Sequence, residues 1–215
     1  MTDPNKTSIT IILDKSGSMS IARDDTIGGY NSFIETQSKL PGECELSLIQ
    51  FNEESSFTHK SKDIHDPSLR LDTTTYIPSG NTAYLDAVGR AITEKGEELA
   101  KLSDDQRPGK VIFFIITDGQ ENASKTYVRS KIKEMILHQT NMYNWDFSFL
   151  GANIDAFDAA DSIGISQNKS LSFSTTSVGG ASRAFNAVVN YMCNAQSSDL
   201  KSNGYSAADR SSNSQ

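Results

Sequence analysis

The segment Asp14-Lys15-Ser16-Gly17-Ser18-Met19 sets a carboxylate and two hydroxyls at alternate positions. In an extended or gently turning chain, alternate side chains point the same way, so Asp14, Ser16 and Ser18 converge on one point. Gly17 lets the chain turn tightly between the two serines. A second carboxylate, Asp118, follows another apolar run in Thr117-Asp118-Gly119. Thr82, in "SGNTAYLDA", offers a third hydroxyl where a helical pattern begins. Oxygen donors without imidazole or thiolate suit a hard divalent cation: Mg2+ first, with Mn2+ or Ca2+ as alternatives. Neutral hydroxyls leave such an ion under-neutralised, with a coordination position that a partner's carboxylate can fill.

Other chemistries fit these residues less well. Ser and Asp are favoured at helix starts, but capping does not require two distant segments to match. There is no G-x-S-x-G elbow for a serine nucleophile, and His59, His65 and His138 fall on an edge strand, in a loop and late on a helix. Neither G-x-x-x-x-G-K nor G-x-G-x-x-G stands at a strand–helix junction. A Mg2+-dependent phosphohydrolase or phosphotransferase is the harder rival, since it too uses aspartates at strand ends. It needs an aspartyl nucleophile or a general acid beside the metal, usually with a lysine for phosphate. Lys15 is adjacent to Asp14 and points away from it in an extended loop. Glu121 is the nearest acid; it reads as a first-turn helix residue favoured by the helix dipole, or as part of an acidic rim. A factor of a stress response or a phage, working through metal binding itself, also stays open.

The elements that must position these groups alternate. "SITIILD" (8–14) and "VIFFIITDG" (111–119) are apolar and rich in β-branched residues, like strands buried on both faces, and each is stopped by an aspartate. "CELSLIQF" (44–51) and "SSFTH" (55–59) around a short turn give a hairpin, so the third strand is expected antiparallel at an edge. "WDFSFLG" (145–151) and "SLSF" (170–173) complete the strands. Helical spacing marks 21–39, 82–102, 124–139, 154–164 and 181–193. Gly28 and Gly29 in the first helix predict its close packing on the sheet. The pattern is α/β: an open, doubly wound, mostly parallel sheet with helices on both faces. Ligands bind such sheets outside the carboxyl ends of the strands, where strand order reverses. Asp14 and Asp118 sit at that edge.

The 215 residues suit one domain, read as 1–195, followed by a polar Ser/Asn-rich segment, 196–215, expected to be disordered. A net charge of -7 argues against nucleic acid as the main partner. No secretory signal is visible, and no run approaches the ~18 apolar residues that span a bilayer, so no membrane role is expected. Cys44 and Cys193 lie far apart, outside any C-x-x-C, and read as small buried thiols suited to a reducing cytoplasm.

"DKSGSM", the threonine of "SGNTAYLDA" and "TDG" after an apolar strand together resemble the metal-ion-dependent adhesion site of von Willebrand factor type A domains. The order of the three elements and their structural contexts match, over about residues 7 to 193. The resemblance implies a six-stranded, Rossmann-like sheet with its short third strand antiparallel at the edge. It implies direct metal binding by Ser16 and Ser18, direct or water-mediated binding by Thr82, and mostly water-mediated binding by Asp14 and Asp118. It implies a non-enzymatic protein-binding module whose partner presents an Asp or Glu, with a AAA-type ATPase as one such partner. The style of the chain, including "DDTIGGYNSFIETQ", is similar to small stand-alone bacterial and phage domains of this kind.

Overall fold

The computed structural model describes residues 1–152, 155–197, 200 and 203–213. Six strands, β1 (Asp3–Asp14), β2 (Glu43–Phe51), β3 (Ser55–Asp63), β4 (Pro108–Thr117), β5 (Asp146–Ala152) and β6 (Ser170–Phe173), form one sheet in the order β3-β2-β1-β4-β5-β6. Every pairing is parallel except β2 with β3. The later parts of β1 and β4 are apolar on both faces because each feeds two cores. Ile9, Ile11 and Leu13 of β1 join Ile112, Phe114 and Ile116 of β4 in one core. That core is closed by α1 (Arg23–Gln37) and α5 (Gly180–Ser197). Ile12, Val111, Phe113 and Ile115 face the other, closed by α2 (Tyr84–Ala100), α3 (Arg129–Tyr143) and α4 (Ala156–Ser162). β1 and β4 are direct neighbours, so the reversal of strand order falls between them, and both strands end at the same edge.

β3 is the antiparallel edge strand expected from the hairpin. It breaks register with β2 twice, and Ser61 adopts a left-handed φ of 45°. Among the described residues no helix is long and apolar enough to cross a membrane.

Four expectations are corrected. The third long helix starts at Arg129 rather than near 124, because the preceding N–H groups find carboxylate partners elsewhere. Asp86 in the first turn of α2 accepts from the N–H groups of Lys125, Thr126 and Tyr127. Of the two helical glycines only Gly29 marks a close approach, and it is to Phe185 and Ser182 of α5 rather than to the sheet; a side chain at Gly28 would meet open space. Cys193 is exposed on α5, while Cys44 is half-buried on β2. The disordered tail expected over 196–215 does not hold for its described part. Leu200, Tyr205, Asp209 and Asn213 are buried, and α6 (Ala207–Asn213) packs against α5. The physical reason is a set of polar anchors added to two side chains, Leu200 and Tyr205, that join the core without any periodic apolar face. The Lys169 ammonium donates to the Leu200 carbonyl, Ser148 and Tyr205 share a hydroxyl–hydroxyl bond of 2.6 Å, and Asn190 donates to Asp209. Residues 198, 199, 201, 202, 214 and 215 of that segment, and Ile154 at the start of the expected short helix, lie outside the described residues.

Candidate metal centre

Asp14 is the last residue of β1 and is fully buried, 0% exposed. Two protein donors hold its carboxylate. Oδ1 accepts the Ser16 N–H at 2.6 Å, and Oδ2 accepts the Thr117 hydroxyl at 2.5 Å. A third contact fixes its backbone: the buried Tyr76 hydroxyl donates to the Asp14 carbonyl at 2.6 Å. Among the described residues no Lys or Arg side chain pairs with the Asp14 carboxylate. Burial pushes the Asp14 carboxyl up to about 6, against the opposing bonds from Thr117 and Ser16.

The chain then turns. Ser16 precedes a short 3-10 turn, Gly17–Ala22, and the Gly17 N–H donates to the Gly80 carbonyl at 2.9 Å. That bond, with Ser79 N–H to the Lys15 carbonyl at 2.7 Å, ties the loop before α2 to the Asp14–Ser18 loop. Gly80 is needed there: its φ is 77°, and a side chain would strike the Glu53 carboxylate. The Ser16 and Ser18 hydroxyls lie 3.1 Å apart, and the Ser18 hydroxyl donates to Asp118 Oδ1 at 2.7 Å. Four of the five predicted residues are thus joined in one hydrogen-bonded chain across β1 and β4. Asp118 is 5% exposed, and burial raises its carboxyl above the usual range, opposed by Ser18.

Thr82 arrives from the third segment. It is buried, and its carbonyl accepts the N–H groups of Asn122 and Ala123. A Cβ on Gly119 would lie 2.8 Å from the Thr82 hydroxyl oxygen. Glycine after Asp118 therefore leaves the room that this hydroxyl occupies. All five residues named from sequence meet at one end of the sheet.

Glu121 does not start a helix, as its position suggested. Its carboxylate accepts the N–H groups of Leu85, Ala123 and Ser124, bracing the loop after β4 against the first turn of α2. Thr117 and Tyr76 are the positioning groups that sequence reasoning missed. Thr117 was legible only as the residue before the aspartate, on a strand already read as apolar. Tyr76 lies between the hairpin and the second helix, where the sequence marks no element.

Among the described residues no three His, Cys, Asp or Glu side chains come together as metal ligands. Hydroxyls must therefore supply much of the coordination of any ion here. All five groups offer oxygen, and the space beside Gly119 is kept for one of them, so the donor set fits a hard divalent cation. A hollow of about 560 Å3, lined by Leu99, Val111, His138 and Trp145 among others, lies at the opposite edge and includes none of these residues.

No protein-family model matches the chain, and no curated protein matches it. Solved structures do. Proximal thread matrix protein 1 from the mussel byssus, with a zinc-occupied MIDAS motif, aligns with a TM-score of 0.62 at 16% identity, covering 87% of this chain and 46% of that one. A von Willebrand factor type A protein from Catenulispora acidiphila aligns at 0.59 and 13% identity, over 86% of this chain and 42% of its own. The vWF domain of the type V pili tip protein Mfa5 from Porphyromonas gingivalis aligns at 0.61 and 9% identity, over 91% and 97%. The chain spans less than half the length of the mussel and Catenulispora structures. At such identities these likenesses speak for architecture, and they agree with the strand order, the antiparallel edge and the two helical layers: the chain has the von Willebrand factor type A fold.

Proposed function

We propose that Asp14, Ser16, Ser18, Thr82 and Asp118 hold a divalent cation, Mg2+ in the first instance, and that the protein is a non-enzymatic module binding a partner's Asp or Glu through it. The observation that carries this reading is the convergence of three hydroxyls and two buried carboxylates from three separate segments, held by neutral donors. A bound cation would supply the missing positive charge and a coordination position for an incoming carboxylate. Ser16 and Ser18 would bind it directly, Asp14 and Asp118 mostly through water. Thr82, on a segment of its own, would join or leave the ion as the partner binds or departs. Thr117 and Tyr76 keep Asp14 in place from outside the coordination sphere. The zinc-occupied motif of the mussel protein supports the metal, though not the choice of Mg2+. A AAA-type ATPase is a partner to test, and the reading places the protein in the cytoplasm.

Calorimetric titration with Mg2+ and Mn2+ tests the site. Ser16→Ala/Ser18→Ala is expected to lower metal affinity at least about tenfold with the fold intact, and Thr82→Ala to weaken partner binding more than metal binding. Unchanged metal affinity in the double variant would remove the assignment.

A further inference from the structure

The hollow of about 560 Å3 at the edge opposite the candidate metal centre falls within the ~300–1,000 Å3 of small-molecule sites. It lies between the last turns of α2 and α3, over the starts of β4 and β5. Two features of the sequence shape it. Gly96 stands inside α2, where glycine weakens a helix relative to alanine. Beyond its own helix backbone nothing lies within 4 Å of the position its Cβ would take, so no close approach calls for glycine there. At the end of α3, Asn144 takes a left-handed φ of 55°, and the Trp145 N–H returns to the Gln139 carbonyl. That turn sets the Trp145 indole against the hollow, with its ring stacked on Phe113 at 5.3 Å between centroids.

Trp145 is 6% exposed. A buried indole N–H ordinarily finds an acceptor. Here it has no hydrogen-bond partner among the described residues, yet it is not sealed away from solvent, so it gives onto the hollow that Trp145 lines. Two more donor side chains share the lining. Arg107 donates Nε to the Leu99 carbonyl and Nη1 to Asp104, and its Nη2 has no partner among the described residues. The His138 ring meets Tyr143 edge-on, with 5.8 Å between centroids, and makes no hydrogen bond among the described residues. No Asp or Glu lines the hollow, although the chain carries a net charge of -7.

Apolar walls from Leu99, Val111 and Met142 thus enclose donors that lack acceptors, in a local charge opposite to that of the whole chain. The geometry points to a binding site for a small aromatic carboxylate, its ring against Leu99, Val111 and Trp145 and its carboxylate taken by the Trp145 indole N–H and the Arg107 guanidinium. An alcohol of the same shape would satisfy the indole and leave the guanidinium charge unmatched. An amine would bring a positive charge to a lining whose only charged neighbour is positive. The site is independent of the candidate metal centre and needs no cation.

Trp145 is the single tryptophan of the chain, so its emission reports on this hollow. The probes are phenylbutyrate, phenylbutanol, phenylbutylamine and butyrate, each titrated into the full chain with excitation selective for tryptophan, in Mg2+ and again in EDTA. Phenylbutyrate is expected to change the emission saturably and to bind about tenfold more tightly than phenylbutanol, with the amine and butyrate weaker still. EDTA should alter none of these affinities. Gly96→Leu puts a better helix former into the open space, so it should hold or raise the melting temperature and weaken phenylbutyrate at least about tenfold. Arg107→Gln should bring the acid and the alcohol to within about twofold of each other. Equal binding of acid and alcohol to the unaltered chain, or preference for the amine, would overturn the carboxylate assignment. No saturable change with any probe, or undiminished binding in a folded Gly96→Leu, would overturn the site itself. Loss of binding in EDTA would move the ligand to the candidate metal centre and overturn the site as well.

Discussion

Asp14 and Asp146 are both completely buried, at opposite ends of neighbouring parts of one sheet. Asp14 ends β1 and receives one backbone N–H and one hydroxyl on its carboxylate. Asp146 begins β5 and receives a cation: the Lys169 ammonium lies 2.5 Å from Oδ1, and the Tyr191 hydroxyl donates to Oδ2 at 2.8 Å. Burial pushes both carboxyls up, but at Asp146 the ammonium pulls back, whereas at Asp14 Asp118 adds repulsion. A buried charge is tolerated when it is paired. The paired aspartate serves the architecture, holding β5, the residue before β6 and the C-terminal segment together. The aspartate without a cation belongs to the site where we place one.

The contrast predicts where each variant should hurt. Asp146→Ala strands a buried ammonium and is expected to cost about 3–5 kcal/mol in denaturant unfolding. Adding Lys169→Met should recover much of that loss, and a double-mutant cycle showing no coupling would erase the distinction. Truncation after residue 199 removes the Leu200 carbonyl from Lys169 and the Tyr205 hydroxyl from Ser148. It should lower the melting temperature by about 5 °C or more, since about 1 kcal/mol corresponds to ~2–4 °C at this size. A melting temperature within a degree or so of the full chain would return the segment to the status of a passive tail. Asp14→Asn keeps the shape and removes the unpaired charge. Its metal-free stability should change by only about 1 kcal/mol, while calorimetry finds Mg2+ binding at least about tenfold weaker. Large destabilisation with metal binding intact would make Asp14 the structural aspartate.

The same contrast explains what could be read from the chain before folding. Strands buried on both faces announce themselves as unbroken apolar runs, so β1, β4 and the meeting of Asp14, Ser16, Ser18 and Asp118 at their ends were legible, with Thr82 arriving from a separate segment. Hydrogen-bond partners carry no such periodicity. The start of α3 was misplaced because Asp86, some forty positions away, takes the N–H groups of Lys125 to Tyr127. The C-terminal segment was misread because its anchors are a tyrosine, an asparagine and an aspartate in polar company. Their partners, Ser148, Tyr191 and Asn190, lie on β5 and α5. Thr117 and Tyr76 act through hydroxyls whose targets only the tertiary fold reveals.

β3 has a consequence for how many copies can work side by side. An open sheet edge invites another strand, and chains crowded on one assembly would meet edge to edge. Here the edge carries Lys60 and Lys62, breaks register twice and turns left-handed at Ser61 between those lysines. Such an edge is a poor template for fusion into a continuous sheet. Copies of this chain crowded on a multivalent array would therefore find no ready strand pairing along β3, the edge where two sheets could otherwise anneal.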